Sequence, residues 1–82
     1  MTVVTLYSRP GCHLCEEARA AVERMRPAVA PFELREVDID GDDELLRAYL
    51  ERIPVVAVGG ANVSELEFDE EAFRATVGPA DA

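Results

Sequence analysis

The spacing of apolar positions changes along the chain and marks out its elements. Thr2 to Tyr7 (T-V-V-T-L-Y) is β-branched and aromatic, which favours a strand. Ser8-Arg9-Pro10-Gly11 breaks it as a loop. From about Cys12 to Arg26 the period becomes helical, with Leu14, Cys15, Ala18, Val22 and Met25 on one face and Glu16, Glu17, Arg19, Glu23 and Arg24 on the other. Acids in the first turn and arginines in the last suit the helix dipole, and Pro27 stops the helix. Phe32 to Ile39 reads as a second strand whose alternation is interrupted at Arg35-Glu36, which suggests a bulge.

Asp40-Gly41-Asp42-Asp43-Glu44 reads as a turn and an acidic helix start, capped by Asp40 or Asp42. Leu45, Leu46, Tyr49 and Leu50 form the apolar stripe of that helix. Pro54-Val55-Val56-Ala57-Val58 reads as a short central strand, with proline tolerated at its first position. Gly59-Gly60 signals a hairpin, and Val63 to Phe68 alternates as a fourth strand. Asp69 caps a last helix carrying Ala72, Phe73 and Val77, and Gly78-Pro79 ends it. The order β-α-β-α-β-β-α predicts an α/β domain, with a four-stranded mixed sheet and three flanking helices.

Length fits this picture: 82 residues make one small domain, taken here as 1–82, and leave no room for a second. No apolar run approaches the ~18 residues of a membrane span, and the N-terminus has no basic leader. A cytoplasmic monomer is therefore the expectation. Charge narrows the partners. Seventeen acids against eight bases, all eight of them Arg, give a net charge of −9. Nucleic acid and anionic membranes are poor partners for such a surface.

The only two cysteines, Cys12 and Cys15, are three residues apart, so a bridge between them closes a loop too short to act as a scaffold. They sit where a turn gives way to a helix. The first turn of a helix has unpaired N–H groups and the positive end of the dipole, both of which favour a thiolate at Cys12. Cys15 falls on the inner stripe. The expected division of labour has Cys12 attacking a disulfide and Cys15 resolving the mixed disulfide. Arg9 and His13 are nearby cations, although His13 is also spaced to pair with Glu17 at i,i+4.

Two rival readings of Cys12-His13-Leu14-Cys15 are a structural pair and half of a metal site. Zinc prefers four ligands, and this turn offers two thiols and one imidazole. An iron–sulfur or metal-binding module, or a non-catalytic interaction domain, is the alternative function.

The runs Tyr7-Ser8-Arg9-Pro10-Gly11-Cys12-His13-Leu14-Cys15, Val37-Asp38-Ile39-Asp40 and Arg52-Ile53-Pro54-Val55-Val56 resemble the glutaredoxin-like branch of the thioredoxin-fold superfamily, over nearly the whole chain. The resemblance is to short bacterial glutaredoxin-like proteins. It implies a cis Ile53–Pro54 bond beside the cysteines and an Ile53 backbone that pairs with bound substrate. It also implies that Arg9 takes the place of a basic residue near the nucleophile.

The chain departs from the family at Leu14, where an aromatic residue is common, and at Arg52, where threonine is usual. It also departs where glutaredoxins place the backbone that holds glutathione: here the residues are Ser64-Glu65-Leu66-Glu67, followed by Asp69-Glu70-Glu71. These acids would repel a carboxylate-bearing tripeptide. Glutathione stays a candidate reductant with a degraded site. The chemistry expected is thiol–disulfide exchange on protein or small disulfides, needing no metal or organic cofactor.

Overall fold

β1 (Thr2–Ser8) forms the axis of the molecule. It pairs with β2 (Phe32–Asp38) in parallel on one side and with β3 (Val55–Val58) antiparallel on the other. β4 (Ala61–Glu65) extends the sheet beyond β3, giving the order β2-β1-β3-β4. This is a computed structural model and it describes residues 1–80; the last two residues of the domain lie outside the described residues.

The two faces of β1 have different partners. Val4 and Leu6 point toward α1 (His13–Arg24) and α3 (Glu70–Val77), where they share a core with Ala18, Val22, Val56 and Phe73. Tyr7, of opposite parity, meets Tyr49 of α2 (Asp43–Tyr49) with ring centroids 4.9 Å apart. Phe73 is the centre of the first layer. It is fully buried and has an edge-on contact with Phe32 at 5.6 Å and a tilted one with Phe68 at 5.3 Å.

The helix ends follow their cap residues. Asp42 rather than Asp40 caps α2, its Oδ1 accepting from the N–H groups of Glu44 and Leu45. Asp40 lies instead in a short 3₁₀ turn, Ile39–Gly41, that Asp38 caps. Asp69 caps α3 through the Ala72 N–H at 3.0 Å, and Gly78, at φ 96°, ends it. α1 stops at Arg24, and Pro27 sits in a following 3₁₀ turn, Arg26–Ala28. Arg26 secures that turn to β2. Its guanidinium lies 4.4 Å from the Phe32 ring centroid and donates to the Phe32 carbonyl.

Two expectations from the alternation fail. β2 holds register with β1 from Thr2–Phe32 to Ser8–Asp38, with no bulge at Arg35-Glu36. The apolar face of β2 simply ends there. Glu36 lies on the same side as Phe32 and Leu34, but beyond the edge of the core, where it meets Ser8 and Arg19. The register shift lies instead in the β3–β4 hairpin, between Val56 and Ala57, which leaves Val63 as the extra residue.

The fourth strand is also shorter than expected. It ends at Glu65 because Leu66 turns into the left-handed region, at φ 63°. For a leucine that conformation costs about 1–2 kcal/mol. It is held by the Leu66 N–H, which lies 3.0 Å from both the Arg52 and the Pro54 carbonyls.

Candidate functional site

The cysteine loop hangs from the C-terminal end of β1. Arg9-Pro10-Gly11-Cys12 is a tight turn closed by the Cys12 N–H on the Arg9 carbonyl at 3.3 Å. Gly11 has φ +80°, and nothing lies within 4 Å of where its Cβ would be, so glycine serves the backbone conformation rather than space. α1 begins at His13 with Cys12 as its N-cap. The Cys12 Sγ accepts the Cys15 N–H at 3.1 Å, a role usually filled by a Ser, Thr or Asp oxygen. The sulfur thus rests on one of the unpaired amides that the helix start provides.

Cys12 and Cys15 form a disulfide, with Cα atoms 5.2 Å apart. Cys12 is partly exposed, whereas Cys15 is buried at 3% exposure among the inner residues of α1. The first cysteine is therefore open to solvent, and the second lies beneath it.

The other residues singled out in the sequence divide into three groups. Arg9 lines a cleft beside the disulfide, with Nε 3.3 Å from Asp40, so that carboxylate offsets part of its charge. His13 is not brought to the cleft. Its imidazole is 85% exposed and lies 2.9 Å from Glu17, the i,i+4 pairing that the spacing allowed. Ile53 and Pro54 lie on the other side of the loop. The register Tyr7–Val55 carries Pro54 to the level of Ser8, the strand end from which the cysteine loop starts.

The Ile53–Pro54 bond is cis. The Ile53 N–H already donates to Tyr49 at 3.0 Å. Its carbonyl accepts no backbone N–H among the described residues, so of the two backbone groups only the N–H has a backbone partner.

The far wall of the cleft is built by residues that the motif does not include. Arg19 and Glu36 form an ion pair at 3.1 Å across it, and the Ser8 hydroxyl is 3.4 Å from the same carboxylate. Two signals were present: Arg19 follows Cys15 by four residues on the helix, and Glu36 is the residue that broke the strand's alternation.

A strand-borne turn, a disulfide at a helix N-terminus and a cis-proline level with it define a thioredoxin-fold protein with a disulfide-forming CxxC pair. The chain belongs to the glutaredoxin-like domain family (DUF836), which matches residues 3–78. It is similar to protein Ne2328 from Nitrosomonas europaea, at 30% identity over 94% of this chain and 92% of that one, with a TM-score of 0.81. It is also similar to protein XcR50 from X. campestris, at 35% identity over 88% and 91%, with a TM-score of 0.71. A buckwheat glutaredoxin in complex with glutathione shares the fold at 16% identity over 88% and 68%, with a TM-score of 0.61. No curated protein matches the chain significantly. Among the described residues, no helix is long and apolar enough to cross a membrane.

Proposed function

We propose that the protein is a thiol–disulfide oxidoreductase that cycles Cys12 and Cys15 between dithiol and disulfide. The observation that carries this reading is the pairing of an accessible sulfur that caps α1 with a buried sulfur one turn later. The Cys12 thiolate bonds to one sulfur of a substrate disulfide, and the leaving thiolate takes up a proton. Cys15 then loses its proton and attacks the Cys12 sulfur. The second substrate thiolate departs and is protonated.

Two electrons pass from the protein to the substrate, and the protein is left as the Cys12–Cys15 disulfide. An external thiol or dithiol must return those electrons, which suits a reducing compartment such as the cytoplasm. No metal or organic cofactor enters the cycle. Its substrates are protein or small-molecule disulfides, handled by a single chain.

A single-turnover assay tests the reading. Reduced protein mixed with excess bis(hydroxyethyl) disulfide without oxygen should release two thiols per chain, and Cys12→Ser should release none above the uncatalysed rate. A wild-type protein that releases no thiol refutes it.

A further inference from the structure

The disulfide has an apolar flank. Leu14, between the two cysteines, and Leu66 are 49% and 51% exposed. Isolated exposed leucines need no explanation, but these two line one groove together with Phe68. Leu66 is unusual on a second count. It holds a left-handed backbone that glycine or asparagine would adopt more easily, yet it presents a bare hydrocarbon side chain there. The Leu66 N–H bonds to the Pro54 carbonyl, so the groove begins beside the cis-proline and the disulfide.

From there the groove follows α1 toward Ala21. Leu14 to Ala21 is two helical turns, about 10 Å, which three residues of extended peptide would span. The rim is acidic: Glu17, Glu67 and Glu70 line it, against one cation, Arg24. Asp69 and Glu71 follow at the start of α3, and the chain carries net −9.

We propose that this groove docks the polypeptide next to a partner's disulfide, and that the partner is a protein with an apolar residue beside its cysteine and lysines or arginines just beyond. The proposal rests on the thiol–disulfide reading for its chemistry. Leu14, Leu66 and Phe68 take the apolar side chain, and the carboxylates take the basic ones. The same acids disfavour an anionic small thiol, so substrate choice is set by charge next to the sulfur.

Two measurements test it, and the first needs no redox activity. The oxidised protein is titrated by NMR with two peptides in which serine replaces cysteine, each with leucine beside the serine. One is flanked by lysines and the other by glutamates. The lysine peptide should shift the amides of Leu14, Leu66 and Phe68, and the glutamate peptide should not. No shifts with either peptide, or equal shifts with both, overturn the proposal.

In the second, the reduced protein acts on the matching cysteine peptides, each presented as a mixed disulfide with a chromophoric thiol. The lysine form should react roughly tenfold faster at low salt, and the gap should close near 1 M salt, where the Debye length is about 3 Å. Leu66→Gly should lower the rate on the lysine peptide relative to bis(hydroxyethyl) disulfide without lowering Tm, because glycine accepts the φ of this position. An unchanged ratio counts against the docking role. If no disulfide of any kind is reduced, the reading of the cysteines fails, and the titration still decides the groove.

Discussion

The Cys12 sulfur accepts the backbone N–H of Cys15 at 3.1 Å, so the residue that opens α1 is held by the amide of its own disulfide partner. On reduction, the same amide faces a thiol or a thiolate, and it stabilises the charged form by hydrogen bonding and through the helix dipole. Cys12 should therefore react with iodoacetamide with a pH midpoint below the ~8.5 of a free thiol. Cys15, buried one turn later, should stay unmodified until the protein is denatured. Mass spectrometry of alkylated peptides across a pH series checks both; equal profiles for the two cysteines would contradict the assigned roles.

Exposure predicts which mutant traps a partner. Cys15→Ser should accumulate a mixed disulfide at Cys12, because nothing remains to displace the bound thiol. Cys12→Ser should form none, since Cys15 is 3% exposed. Non-reducing gels after incubation with a protein disulfide separate these outcomes.

The three-residue spacing of the bridge limits what it adds to the fold. In the chain-entropy account so short a loop contributes at most about 2 kcal/mol. The reduced protein should stay folded, with a lower Tm but similar far-UV circular dichroism. Cooperative unfolding on reduction alone would falsify this view of the bridge as a local device.

Phe73 is the more sensitive position. It is fully buried and touches Phe32 and Phe68, so Phe73→Ala should cost about 3–5 kcal/mol. A domain of this size has only about 4–12 kcal/mol in total. Denaturant titration should show a midpoint displaced far toward zero, or no transition at all.

Charge gives a prediction about the reductant. Asp69, Glu70 and Glu71 crowd the start of α3, and Glu65 and Glu67 precede them. At matched thiolate concentrations, glutathione should reduce the Cys12–Cys15 bridge more slowly than neutral 2-mercaptoethanol. Stopped-flow rates in low salt test this, and a faster glutathione reaction would mean that the acids do not guard the site.

Most of the fold could be read from local pattern, because each helix carries its own cap and each strand its own composition. Asp69, Gly78 and the Gly59-Gly60 turn act within a few residues, and their signals are local too. The errors arose where a residue's surroundings come from far along the chain. Glu36 disrupts an alternation only because Ser8 and Arg19 await it, 28 and 17 residues earlier. Leu66 ends a strand that its own sequence would continue, because the carbonyls of Arg52 and Pro54 hold its N–H.

At the candidate site the cysteines and their order of exposure were legible from the motif. The cis bond came from family resemblance. The outward pairing of His13 with Glu17 was only one of two options open to the sequence. The loss of the Ile53 N–H to Tyr49 had no sequence signal, since it depends on how the chain leaves α2.

The placement of β3 bears on how the protein survives at high concentration. Val55-Val56-Ala57-Val58 is an uncharged, β-prone run, and it is enclosed between β1 and β4. The strands left at the margins expose Glu33, Arg35 and Glu36 on one side and Asn62 and Glu65 on the other. Such charged borders discourage the sheets of neighbouring molecules from joining. The β3 edge is bared when β4 peels away from it, so solubility under stress depends on how firmly β4 stays closed over its neighbour.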